Sequence, residues 1–204
     1  MFAEWSAECA PDDPLLVVPW SSSPDPADPT HGPHFIDLRE NPYDLDHLPE
    51  AEHYPPLMQA LRSLNANRSP VFTAKCDVWP LTSEELEQLH LNLDLFTEPH
   101  ETPTGLASYI DILWRDRSLF ASFHHTEQLL RRLTRRAETL DQPFAALDCV
   151  IRPAMVDLTG PQEGFAVSLY IKALGSDPHT ASANWAAALE SIVALLRSKE
   201  FSPN

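Results

Sequence analysis

DCVIRPAMVDL-TGPQE-GFAVSLYIKAL, residues 148–174, is the stretch on which the fold turns. Residues 148–158 and 164–174 are apolar runs rich in β-branched and aromatic side chains, separated by Thr159, Gly160, Pro161, Gln162 and Glu163. So short and turn-prone a connection joins antiparallel neighbours, because a parallel return needs a crossover of about a dozen residues. Pro153 stands inside the first run and cannot donate to a ladder, which predicts an edge strand or a bulge there.

Working outward, Asp177 as N-cap and Pro178 at the first helical position start a helix through Trp185, Leu189, Ile192 and Leu196. On the other side, a helix after Asp116-Arg117-Ser118 carries Phe123, Leu130, Leu133, Ala137 and Leu140 at helical spacing. Ser108 to Trp114 alternates, with Ile110, Ile112 and Trp114 on one face of a strand. Further back, Thr82 and Glu85 form a capping box, with Leu81 and Leu86 placed as its hydrophobic staple. Residues 71–79 alternate as a half-buried strand, Phe72, Ala74, Cys76 and Val78 on one face and Thr73, Lys75 and Asp77 on the other. Pro55 and Pro56 suit a first helical turn, and Leu57, Leu61 and Leu64 stack behind them before Asn65 and Asn67.

The order from residue 55 is helix, strand, helix, strand, helix, strand, strand, helix. It predicts an α+β fold: a mixed or antiparallel sheet of about four to five strands with helices packed mainly on one face. Before it, residues 1–54 read as an extended, acidic, Pro-rich arm packing partly on the body, so that 55–204 form a single α+β domain. In residues 1–33 the pairs Asp13-Pro14, Asp25-Pro26 and Asp28-Pro29 oppose regular helix, whereas Leu15, Leu16, Val17, Val18 and Trp20 are apolar enough to pack. Residues 34–54 are expected to continue extended.

The chain of 204 residues has a net charge of −16, and its distribution is uneven. Residues 1–102 hold 19 acids and 4 bases, residues 103–204 hold 11 acids and 10 bases, and 14 of the 20 prolines precede residue 102. Such an excess excludes nucleic-acid binding by phosphate neutralisation and disfavours anionic membrane surfaces. The 5 glycines compose neither a dinucleotide fingerprint nor a P-loop. The N-terminal residues lack a secretory pattern and no apolar run approaches membrane-spanning length, so the expected location is the cytoplasm. Cys9, Cys76 and Cys149 have no CxxC spacing, and the latter two sit in strand-like stretches as small buried hydrophobes.

Three features bear on chemistry. His31, His34, Asp44, Asp46, His47 and His53 crowd into one segment and could ligate a divalent metal or act as acid and base. They follow no recognised spacing, and the competing assignment is a solvated acidic stretch. Arg131, Arg132, Arg135 and Arg136 form two i,i+4 rows on one helix. They offer a docking patch for an acidic or phosphorylated partner, a solvated face that complements the helix C-terminus, or a seat for the chain's own acidic half, the version favoured by the charge distribution. Trp20 can anchor a partner or plug the arm onto the sheet. Glu87 with His90 has the spacing of di-iron bundles but occurs once, and His124 and His125 point about 100° apart, too divergent to share a ligand. No GxSxG, SxxK or nucleotide-binding set occurs.

The expectation that results is a non-enzymatic protein-binding module (adaptor, chaperone-like or immunity-type) without a cofactor, its partner another protein, basic in character. The alternative is a small hydrolase, metal-dependent or His/Asp acid–base, using residues 31–53, the only version that calls for a divalent metal. The sequence leaves the oligomeric state open.

Overall fold

The computed structural model describes residues 1–21, 34–93 and 103–201. In chain order they form β1 (Phe2–Ala7), β2 (Leu16–Val18), a 3-10 turn at Pro42–His47, α1 (Pro49–His53), α2 (Pro55–Asn65), β3 (Val71–Pro80), α3 (Ser83–Asn92), β4 (Thr104–Trp114), α4 (Arg117–Phe120), α5 (Phe123–Ala137), β5 (Ala145–Val156), β6 (Gln162–Gly175) and α6 (Pro178–Leu196). The fold is α+β, with one mixed sheet in the order β1-β5-β6-β4-β3 and β2 also alongside β5.

The pair read first holds the sheet together. β5 and β6 are antiparallel from Ala145↔Ala173 to Val156↔Gln162, and Gly160 turns the hairpin with a φ of 108°, which a side chain would resist. Pro153 is neither at an edge nor in a bulge of this ladder. On its other side β5 pairs in parallel with β1 through Ile151 and with β2 from Ala154, so the missing donor falls where neither strand is paired.

The N-terminal residues are the largest departure from expectation. Phe2–Ala7 is an in-register parallel strand, not merely extended chain, and Ala3 and Trp5 join the core beneath it. Residues 1–10 contain no proline, so they can complete a ladder that β5 already offers. Residues 34–54 are not simply extended either. Asn41 accepts from the Tyr43 amide to start the 3-10 turn, and α1 follows with Ala51 buried.

In β3 the expected two-face pattern breaks at one point. A register shift between Thr73 and Lys75 puts Phe72 opposite Leu113 and Lys75 opposite Asp111, so Phe72 shares a face with Lys75 and Asp77. Thr73 shares the other face with Cys76 and Val78. The shift has a local support: buried Asn65 at the end of α2 accepts from the Thr73 amide at 3.1 Å and donates to Thr73 Oγ1 at 2.8 Å. The sequence expected one continuous helix after Asp116. Instead Asp116 caps α4 and Ser122 caps α5, with Ala121 ending the first.

The main core lies between one sheet face and α2, α5 and α6. Leu57, Leu61 and Leu64 of α2, Leu130 and Leu133 of α5, and Trp185, Leu189 and Ile192 of α6 meet Ile110, Ile112, Leu147, Cys149, Leu169 and Ile171. Burying a Leu- or Ile-sized side chain stabilises the fold by about 1.5–3 kcal/mol each, which makes this layer the dominant favourable contribution. α6 fits close to β6 because Gly175 has no Cβ; one there would collide with the backbone of Thr180 and Ala181. The opposite face carries a smaller cluster at one end, where Leu81, Leu86 and Leu89 of the α3 region lie against Ala107, Ala146 and Leu174. The capping box is present, Glu85 Oε2 accepting from the Thr82 amide at 2.8 Å.

Candidate functional site

Strand pairing brings together residues that no local spacing relates. Glu4 pairs with Asp148, Asp148 with Tyr170, Tyr170 with Tyr109 and Tyr109 with Asp77, one cross-strand row spanning five strands. The adjacent row reads Ser6, Val150, Ser168, Asp111, Lys75, and the one beyond on the other side reads Phe2, Ala146, Lys172, Ala107, Trp79. These rows lie on the face away from α6, since Trp185 of α6 reaches Ser108 on the alternate phase of β4. Among the described residues, α3 covers one end of the face. Trp20 closes on the other, its Nε1 donating to Ala74 O at 2.8 Å with the Lys75 ammonium 5.2 Å from its ring.

Between those covers, rings and charges alternate. Trp79, Tyr109 and Tyr170 form a chain of tilted ring contacts at 6.3 and 5.9 Å. Arg152 extends it, its guanidinium 5.9 Å from the Tyr170 ring and donating to the Tyr170 hydroxyl at 3.2 Å. Arg152 also pairs with Glu8 at 2.9 Å, and Lys172 donates to Asp148 at 2.7 Å. The Ser168 hydroxyl donates to buried Asp111 at 2.5 Å.

The electrostatics follow from burial. Desolvation pushes the Asp111 carboxyl up, opposed by the Ser168 hydrogen bond and by the charges of Arg152 and Lys75. Burial, with Asp111 and Asp77 nearby, pushes Tyr109 up to about 12, so the phenol stays neutral and presents a ring and a hydroxyl. Glu4 is raised by desolvation and then by the neighbouring Asp148. The thiols are poor nucleophiles: Cys76 is pushed up to about 12 by burial and by Glu50 and Asp77, and fully buried Cys149 is also raised.

The arginine strip lies elsewhere, on α5. Arg131 pairs with Glu127 at 2.7 Å on its own helix, with its guanidinium 4.7 Å from the Trp5 ring of β1. Arg132 donates to the Glu200 carbonyl at 3.1 Å, and Arg136 grips the Glu200 carboxylate through Nε at 3.1 Å and through Nη2. Arg135 is exposed and has no ion pair among the described residues. The expected seat for the acidic N-terminal half is thus not what the described contacts form. Among the described residues the acids that meet the strip come from its own helix and the C-terminal segment, and the N-terminal half meets it through Trp5.

Of the proposed metal ligands, His31 and the side chains of Asp46 and His47 lie outside the described residues. His34 and His53 are exposed; the His53 ring nitrogen Nδ1 lies 2.7 Å from Pro49 O, and Asp44 accepts from Asn41 at 2.7 Å. Among the described residues no group of three His, Cys, Asp or Glu side chains is placed to hold a metal ion. A cleft of about 440 Å³ beside α4, lined by Arg117, Phe120, Met155 and Glu163 among others, holds no nucleophile with a base. Among the described residues no helix is long and apolar enough to cross a membrane.

Sequence reading passed over Tyr109, Asp111, Tyr170, Asp148 and Glu4. The signal for Tyr109, Asp111 and Tyr170 was the polar phase of the alternation in 105–113 and 164–174, whose apolar phase marked the core; Asp148 and Glu4 lie outside those stretches, in β5 and β1. No family model, curated protein or solved structure matches the chain.

Proposed function

We propose that the protein is a non-enzymatic binding module of the adaptor, chaperone-like or immunity type, acting in the cytoplasm on a positively charged partner protein. The observation that carries this reading is the state of its carboxylates. The described ion pairs between acids and Lys or Arg use Glu8, Asp37, Glu127, Asp148 and Glu200. Glu40, Glu50, Glu52, Asp77, Glu84 and Glu87 have no such partner among the described residues.

Unpaired surface carboxylates repel one another and destabilise the chain that carries them, a cost that a cationic partner relieves. Complementary charge also speeds encounter and makes capture sensitive to salt. The raised thiols of Cys76 and Cys149 agree with a role that needs no nucleophile, and the reading calls for no cofactor.

An affinity pull-down with mass spectrometry at low and at moderate salt tests it. The expected result is a specific basic protein retained at low salt, released as salt rises, and rebound when purified. Recovery of acidic partners alone, or of nothing specific, would reject the reading.

A further inference from the structure

We infer that the partner's Lys and Arg side chains dock on the sheet face away from α6, across the row Glu4, Asp148, Tyr170, Tyr109, Asp77; this rests on the reading of a basic partner and gives it a site.

The face already holds the chain's own cations by the chemistry a partner would use. Lys75 lies over Trp20 at 5.2 Å, Arg152 over Tyr170 at 5.9 Å, and Lys172 sits on Asp148 at 2.7 Å. Carboxylates on and around the face, Glu4, Glu8, Asp37, Asp77, Glu85, Asp111 and Asp148, outnumber its cations Arg39, Lys75, Arg152 and Lys172. The surplus sits at the two ends of the row, where Glu4 and Asp77 are exposed and have no ion pair among the described residues. Between them Tyr109 and Tyr170 are half-buried, their rings 5.9 Å apart. A guanidinium or ammonium within about 6 Å of such a ring is attracted by its quadrupole. Five strands at about 4.8 Å spacing make the row roughly 19 Å long, the reach of about six extended residues. An extended basic segment laid across the strands can therefore meet both terminal carboxylates and the rings together. Charge complementarity selects this occupant over a second copy of the chain, which is itself strongly acidic.

The test uses the full chain and a fluorescein-labelled octa-arginine peptide, read by fluorescence anisotropy at low salt. One variant carries Glu4→Gln and Asp77→Asn; a charge-matched control carries Glu138→Gln at the end of α5 and Glu190→Gln on α6, both exposed and on the helix-covered side of the sheet, and a third variant carries Tyr109→Leu and Tyr170→Leu. Melting curves establish that each is folded. The expected result is a loss of affinity of about tenfold for the first and third variants and of less than about twofold for the control. Equal losses in the first variant and the control would overturn the site while leaving a basic partner in place. An unchanged affinity in a folded tyrosine variant would also overturn it, because the rings would then take no part. If the wild-type chain does not bind the peptide at all, the reading of a basic partner fails with it. Self-association of the wild type at low salt that the first variant abolishes would assign the face to a second copy instead.

Discussion

Replacing Trp185 with Phe tests the packing that holds α6 against the sheet. Trp185 is fully buried, its Nε1 donates to the Ser108 hydroxyl at 2.9 Å, and its ring meets Tyr54 edge-on at 5.9 Å. Phenylalanine keeps one ring in place but removes the donor, leaving buried Ser108 without it at a cost of about 1–2 kcal/mol. The lost part of the indole leaves a void that costs about 1 kcal/mol more, and a weaker contact with Tyr54 adds up to about 0.5 kcal/mol. The sum is about 2–4 kcal/mol, or roughly 5–15 °C in melting temperature for a chain of this size. Urea denaturation followed by circular dichroism measures it, with an unchanged m-value showing that the unfolded state is not the cause. Ser108→Ala completes a double-mutant cycle, and the coupling should be about 1 kcal/mol. A destabilisation by Trp185→Phe below about 0.5 kcal/mol, or a coupling of zero, would refute the account of this contact.

Two further outcomes follow from charged groups. Burial raises the folded-state pKa of Asp111, so between the ordinary carboxylate value and the raised one the native chain binds more protons there than the unfolded chain, and stability falls as pH rises through that window. Asp111→Asn should therefore gain in urea midpoint relative to wild type as pH rises across that window, and a difference independent of pH would count against it. Glu200→Gln removes the carboxylate held by Arg136, an exposed pair worth under about 1 kcal/mol. Global stability should barely change while amide exchange quickens at residues 198–201; protection unchanged there would show that the pair does not fasten the C-terminal segment.

How far the sequence carried depended on the range of each signal. The capping box of Thr82 and Glu85, the Asp177 cap and the β5–β6 hairpin are legible because the groups that interact lie a few residues apart, although the turn falls at 157–161 and Gln162 and Glu163 already pair with Val156 and Met155. The β3 bulge was hidden because it depends on Asn65, eight residues away from Thr73 on another element. β1 was hidden for a stronger reason: six residues do not make a stable strand alone, and Phe2–Ala7 becomes one only against β5, far along the chain. The arginine rows were visible at helical spacing, but their Glu200 and Trp5 contacts come from the two ends of the chain.

By itself the sequence determined the α+β class, the order of elements from residue 55 apart from the break between α4 and α5, the antiparallel pairing of 148–174 and the acidic bias of the first half. These rest on periodicity, caps and composition, which are local or additive properties of the chain. The tertiary structure alone decided that Glu4, Asp77, Tyr109, Asp148 and Tyr170 stand in one row, and that Glu200 of the C-terminal segment meets the arginine strip. Strand register is set by burial across partners distant in sequence, and a slip of one residue would turn every one of these side chains to the other face.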